Sequence, residues 1–375
     1  LSSNIIIINM VKIIVFTIIL LPLVFRGKRR ICALWVSFAL LFILFGCQYE
    51  MTRDWPVYVE RWLVATENYR TGGRDLEPFY KAVMLLCKPF TYFGYLMICA
   101  VFNLGVFKKY LDKYVPVKLA WLTLAIFLLR TNFAFTYIDT NRQTLAITLC
   151  MLGLYCIINP VGWIKSKKVL YLLSAALFLA AVSTHTSAVI ALPIFFFPWI
   201  CEHIKNSKYL WGFMGLYIAS YFINYSAISE IVGAYMMGSE ELSTFSQYAD
   251  EISERSKSVV EQGIYATLLF FLIYLFDKFK AQEKPLVLAV IVFISLQGFA
   301  MYTMLRALFF YQVYSIYVIP ILASKMAEKK GAPRFLTYMF FDVFILYCIY
   351  SFNSNMAGEN MENWKHFQTI FSAPR

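Results

Sequence analysis

Charge is scarce in this chain: 15% of its 375 residues are Asp, Glu, Lys or Arg, against about a quarter in soluble domains. The alternation of apolar and polar residues that marks outer-membrane strands is also lacking, which excludes a transmembrane barrel. No cysteine pair has the spacing of a metal site. The eight cysteines (Cys32, Cys47, Cys87, Cys99, Cys150, Cys156, Cys201 and Cys348) fall in or beside apolar runs and read as small buried apolar residues. A cleaved leader is not expected, because the first basic cluster follows the first apolar run and no small-x-small site succeeds it. No fixed-period repeat is visible, nor a pair of matching broken spans of the kind inverted-repeat transporters carry.

Hydrophobic length is what the chain has in abundance. Hydrophobic residues make up 60% of it, in runs of roughly 15 to 20, the length that crosses a hydrocarbon core of ~30 Å. A single soluble core has no room for so many helices apolar on every side. The expected class is an all-α polytopic membrane protein with about 12 transmembrane helices. Spans are placed near residues 5–25, 31–47, 92–107, 117–132, 143–158, 169–184, 187–201, 209–226, 263–276, 285–303, 307–323 and 335–351. Residues 79–90 read as an interfacial helix, and Met10 is an alternative start.

A net charge of +12 raises the question of a nucleic-acid partner, which the distribution answers. Basic residues collect in alternate loops: Arg26 to Arg30, Lys108 to Lys118, Lys165 to Lys168, Lys205 and Lys208, Lys278 to Lys284, and Lys325 to Arg334. Those six loops hold twenty of the 34 basic residues and five acids. By the positive-inside rule they are cytoplasmic, so the basicity reports topology and no nucleic acid is implied. The chain then reads as one integral membrane domain, 1–375, with both termini outside the cytoplasm. Its elaborated segments, 48–78, 227–262 and the polar tail after Tyr350, lie on the non-cytoplasmic side. The stretch 245–260 has amphipathic spacing and reads either as a solvated loop or as a lid.

Ionisable side chains at the membrane cost roughly 2.5–3.5 kcal/mol each on insertion scales and are functional candidates by default. Four groups stand out at outer helix ends. The first runs from Arg130 to Gln143. Thr140 and Gln143 have capping-box spacing at the start of a span, which places Arg142 in the first helical turn. A cation there opposes the helix dipole unless an anion completes the site, as phosphate does at helix starts. A local ion pair with Asp139 is the plainer reading of Arg142. The second group is His185 among the hydroxyls of Ser183, Thr184, Thr186 and Ser187, either a hydrogen-bonded structural histidine or a general acid/base. The third is Arg306 near Tyr311 and Tyr314, either snorkelling to headgroups or binding phosphate. The fourth is the first outer loop, with Asp54, Trp55 and Tyr58, then Asp75, Glu77 and Tyr80. Carboxylates beside aromatic rings suit sugars, and Asp54 and Glu77 are candidate bases. Asp75 and Glu77 also have the acid-x-acid spacing of a weak divalent-metal pair.

In this order the groups resemble the EpsG-like branch of the Wzy-type polysaccharide polymerases. The matching elements are Asp54-x-x-x-Tyr58, Glu77-Pro78-x-Tyr80, Asn141-Arg142-Gln143-x-Leu-Ala, His185-x-Ser187 with Leu192-Pro193, and Arg306 with Tyr314 and Ile319-Pro320. The resemblance implies a glycosyltransferase-C-like architecture in a bacterial inner membrane, acting at its periplasmic face without metal or other cofactor. The implied reaction transfers a glycan from undecaprenyl diphosphate to a sugar hydroxyl of a second lipid-linked repeat unit. Membrane lipids and a chain-length regulator are the other implied partners. Arg142, Arg306 and Arg130 would then stabilise the departing diphosphate. Asp54, Glu77, Asp139 and His185 would serve as catalytic or binding groups, and Trp55, Tyr58, Tyr80, Tyr311 and Tyr314 would bind sugar. Three other classes compete. A flippase or exporter of lipid-linked oligosaccharide calls for charges at mid-membrane depth. An O-acyltransferase calls for a deeper histidine, and a non-catalytic scaffold leaves Arg142 and His185 without a purpose.

Overall fold

Lipid offers backbone groups no hydrogen bonds, so an apolar chain without strand alternation folds into helices that satisfy those groups internally. A computed structural model describes residues 2–49, 55–67, 76–130, 140–159, 166–204, 206–220, 259–297, 308–328, 332–357 and 368–369. Its α-helices in chain order are α1 (Ser2–Val24), α2 (Gly27–Gly46), α3 (Trp55–Glu67), α4 (Pro78–Cys87), α5 (Thr91–Tyr114), α6 (Ala120–Leu129) and α7 (Asn141–Ile158). They continue as α8 (Lys167–Val182), α9 (Phe197–His203), α10 (Trp211–Ala219), α11 (Val259–Tyr274), α12 (Lys284–Gln297), α13 (Ser315–Ala327) and α14 (Ala332–Ala357). Each expected span overlaps one of these helices or the 3-10 segment Thr186–Phe196.

Among the described residues five helical stretches are long and apolar enough to cross a membrane: Gly27–Gly46, Pro78–Tyr114, Asn141–Ile158, Thr186–His203 and Leu308–Ala327. Shorter apolar helices accompany them. The protein is therefore an all-α, multi-pass membrane protein. The expected lid at 245–260 falls almost wholly outside the described residues.

The chain divides into two compact units, one of Leu1–Val189 with Ile319–Arg375, the other Ile190–Val318. In the first, α1 packs on α2, α2 on α5, α6 on α1 and α14, and α7 along α8. Phe107 of α5 is the hinge pin of this packing, with its ring 5.7 Å from Phe38 of α2 and 4.9 Å from Phe127 of α6. Polar side chains inside the unit are spent on neighbouring backbones. Ser37 donates to the Ile18 carbonyl, Ser174 to Gly153 and Tyr110 to Met151. Such contacts fasten helices where lipid supplies no hydrophobic drive between them. In the second unit α9, α10 and α11 all pack on α12, whose residues from Pro285 to Ile291 are all buried.

Two local features were not anticipated. The segment expected as a regular seventh span opens as an eleven-residue 3-10 helix, Thr186–Phe196, with Pro193 inside it. Proline has no N–H to donate to the helical ladder, and runs this long in 3-10 geometry are uncommon. The second feature is the corner between α4 and α5. A 3-10 turn, Lys88–Phe90, leads into Thr91 at φ +63°, a region that β-branched residues rarely enter. Lys88 Nζ secures the corner by donating to the Thr66 carbonyl at 2.6 Å, tying it to the end of α3. Gly94 is required beneath it, since a Cβ there would lie 2.3 Å from Phe90 Cβ.

A short antiparallel ladder completes the first unit. Strand β1 (Gln48–Tyr49) follows α2 and pairs with β2 (Gln368–Thr369) of the tail, Gln48 opposite Thr369 and Tyr49 opposite Gln368. The tail and the start of the first long loop therefore share one side of the molecule. Of the cysteines, seven are buried as expected; Cys32 is exposed on α2.

Candidate functional site

In the first unit the start of α4 is tied to two other helix ends, the start of α7 through Arg142 and the turn after α8 through a backbone bond. Asn141 opens α7 and Arg142 is its second residue, with Thr140 at the N-cap. The Thr140 hydroxyl does not make the capping bond that the Thr140 and Gln143 spacing suggests. The charge problem of Arg142 is answered from elsewhere. Its Nη1 donates to Glu77 Oε1 at 2.5 Å across 65 positions of sequence. The expected local partner, Asp139, lies outside the described residues.

Glu77 occupies the N-cap position of α4, followed by Pro78 at the first helical position. Proline there removes a donor that would otherwise go unpaired. The Glu77 carboxylate makes no capping bond to its own helix and is turned to Arg142. Next along, the Phe79 N–H donates to the Ser183 carbonyl at 3.1 Å. This bond satisfies one of the orphan N–H groups of the α4 start and ties it to the turn after α8.

That turn carries His185, whose own N–H donates to the Ala181 carbonyl. The Ser187 N–H donates to His185 Nδ1 at 3.3 Å, and the Ser187 hydroxyl lies 2.7 Å from the same nitrogen. A ring nitrogen that accepts from a backbone N–H carries no proton, so in the neutral ring the proton sits on Nε2. Glu77, Arg142 and His185 thus arrive from the starts of α4 and α7 and the end of α8. All three are partly accessible.

The ion pair is incompletely satisfied. It uses one carboxylate oxygen and one guanidinium nitrogen; Glu77 Oε2 and Arg142 Nε are buried without a hydrogen-bond partner. Side-chain exposures are 23% for Arg142 and 20% for Glu77, so the pair is neither sealed in the core nor loose on the surface.

The aromatic residues of the first loop are placed differently from a sugar platform. Trp55, Tyr58 and Tyr80 are 7%, 5% and 0% exposed. Trp55 sits edge-on to Tyr92 at 5.2 Å and beside Tyr49 at 5.7 Å. Tyr80 sits edge-on to Tyr95, and Arg61 covers the Tyr58 ring. These rings pack α3, α4 and α5 together. In the second unit Tyr311 and Tyr314 are also buried, and the Tyr311 hydroxyl donates to the Ile190 carbonyl at 2.7 Å. Arg130 is buried at the end of α6, within electrostatic reach of Cys348 on α14. Asp54, Asp75, Asp139 and Arg306 lie outside the described residues.

One polar feature was not foreseen. Asn103 of α5 and Asn141 face a small cavity also lined by Phe45, Leu96, Ala100 and Leu104. Its signal in the sequence is a lone carboxamide between Phe102 and Leu104 inside an apolar span. Among the described residues no group of three His, Cys, Asp or Glu side chains is arranged to hold a metal ion.

Helices apolar enough to span a membrane, with an ion pair and a histidine gathered at helix ends, define a multi-pass membrane protein with a charged site at the ends of its helices. The EpsG family profile matches residues 31–369, nearly the whole chain. The chain belongs to the EpsG family. No curated protein and no solved structure matches it.

Proposed function

We propose that this protein is a glycosyltransferase that polymerises lipid-linked repeat units, moving a glycan from undecaprenyl diphosphate to a sugar hydroxyl of a second carrier-linked unit. The observation that carries this reading is the Glu77–Arg142 pair, on a helix start bonded through its backbone to the turn that bears His185, in a chain of the EpsG family. The reaction needs an acceptor proton removed, an anomeric carbon attacked and an anion stabilised as it leaves. The acceptor O–H gives its proton to a carboxylate, and its oxygen bonds to the anomeric carbon. The bond from that carbon to the diphosphate oxygen breaks, and the electron pair departs with the diphosphate.

Glu77 and Asp54 are the carboxylates proposed for the first task. For the last, guanidinium groups suit a diphosphate because their planar fork matches its oxygens, and charge developing in the transition state rewards fixed cations. Arg142 has that role, with Arg306 and Arg130 as proposed helpers, and His185 offers Nε2–H to sugar or phosphate. The site is proposed to face the periplasmic side of a bacterial inner membrane and to work without a metal.

The test is elongation of a synthetic undecaprenyl diphosphate oligosaccharide by purified protein in detergent, with and without EDTA. A product ladder unaffected by chelator is the expected result. A monodisperse, folded preparation that yields no ladder would sink the proposal, and a ladder abolished by EDTA would remove its metal-free form.

A further inference from the structure

Glu77 and Arg142 both have a role in the proposed reaction, Glu77 as a base and Arg142 as a diphosphate ligand, yet in this structure each occupies the other. A carboxylate bonded to a guanidinium is not in position to take a proton from an acceptor. A guanidinium bonded to a carboxylate presents less charge to a phosphate. Resting on the functional reading above, we infer that the pair is an interlock. Binding of the donor's diphosphate takes Arg142 from Glu77 and thereby releases Glu77 as the base for the acceptor hydroxyl, so that the donor binds first.

Four observations support the exchange. The pair is monodentate, joined through Nη1 and Oε1 alone. Arg142 Nε and Glu77 Oε2 are buried without a partner, so each side retains an unused hydrogen-bonding atom. A phosphate can engage Nε and a terminal nitrogen together, forming two bonds where the carboxylate forms one. Both side chains are also partly exposed, so an incoming anion has access to the pair. Arg142 stands in the first turn of an eighteen-residue helix, so the incoming anion gains from the helix start as well.

Glu77 is free to move because its carboxylate holds nothing else. It makes no capping bond, while the backbone of α4 remains anchored by the Phe79–Ser183 and Lys81–Glu77 backbone bonds. The base can therefore be released without unwinding the helix that carries it.

The interlock makes a prediction of sign. Undecaprenyl diphosphate without sugar is titrated into detergent-solubilised protein, with phosphatidylglycerol as the reference anion. Glu77→Gln is expected to bind undecaprenyl diphosphate more tightly than the unsubstituted protein, by up to about fivefold, the worth of a partly exposed ion pair. Its turnover with the lipid-linked oligosaccharide is expected to be lost. Weaker binding by Glu77→Gln would make Glu77 a positioning residue for Arg142 and overturn the interlock, leaving the polymerase reading intact. Unsubstituted protein that binds undecaprenyl diphosphate no better than phosphatidylglycerol would overturn both. A second measurement needs no variant: carbodiimide labelling of Glu77, read by peptide mass spectrometry. Labelling is expected to rise when undecaprenyl diphosphate is added; a fall would overturn the exchange.

Discussion

At Arg142 the chemistry is set by shape as much as by charge. Lysine keeps the positive charge but has no planar fork, so Arg142→Lys is expected to reduce polymer synthesis by one to two orders of magnitude, on the order of 1.4 kcal/mol per tenfold. Gel-resolved product ladders measure this, and unchanged synthesis would make Arg142 a structural residue. His185 invites a paired test. Ser187 fixes the ring through Nδ1, so His185→Ala removes the Nε2 donor, whereas Ser187→Ala keeps one hydrogen bond to the ring. The expected loss is about a hundredfold for the first and clearly smaller for the second; equal losses would deny Nε2 a part in the reaction. The candidates Arg142, Glu77 and His185 were legible in sequence because ionisable groups at apolar helix ends are costly and so conspicuous. The partner of Arg142 was not, because Glu77 stands 65 positions away and pairing at that range is fixed by tertiary packing. The burial of Trp55, Tyr58 and Tyr80 was illegible for a different reason: an aromatic ring that stacks on a sugar and one that packs between helices have the same sequence signature.

At the scale of elements, the corner between α4 and α5 concentrates the constraints. A methyl group at Gly94 meets the Cβ of Phe90, an atom that no rotamer change can move aside. Gly94→Ala is expected to cost about 1–3 kcal/mol by overpacking and to lower the melting temperature in detergent. A melting temperature equal to that of the unsubstituted protein would show that the corner yields freely. Because α4 presents Glu77 at its other end, the same substitution is expected to weaken polymer synthesis as well. Helix positions were readable from runs of apolar residues. The 3-10 segment Thr186–Phe196 and the positive φ of Thr91 were not, since both arise where a neighbouring element dictates backbone that local sequence does not favour.

For the molecule as a whole, the ladder between β1 and β2 joins the tail to the segment leading into Asp54. Tyr49 of that ladder also stacks on Phe93 and lies beside Trp55, linking the tail to the aromatic packing of α3 and α5. Oxidation of a Gln48→Cys, Thr369→Cys double variant is expected to give an intramolecular crosslink in the membrane, seen as a mobility shift reversed by reductant. Failure to crosslink under conditions that join known surface pairs would argue against the pairing. Removal of residues 358–375 is expected to increase protease cleavage within 48–54.

The same ladder has a consequence for the order in which the protein assembles. It closes a chain segment of about 320 residues, and closing a long flexible loop carries an entropic penalty that grows with its length. A ladder of two residue pairs is too slight to offset that penalty alone. Packing of α14 against α6 brings the tail near its partner first, and the strands then meet at little further cost. During synthesis β2 leaves the ribosome about 320 residues after β1, so the first long loop acquires its strand partner only once that intervening chain has been made. Protection of residues near Gln48 would thus mark chains made at least as far as Thr369 and distinguish them from shorter nascent chains already inserted in the membrane.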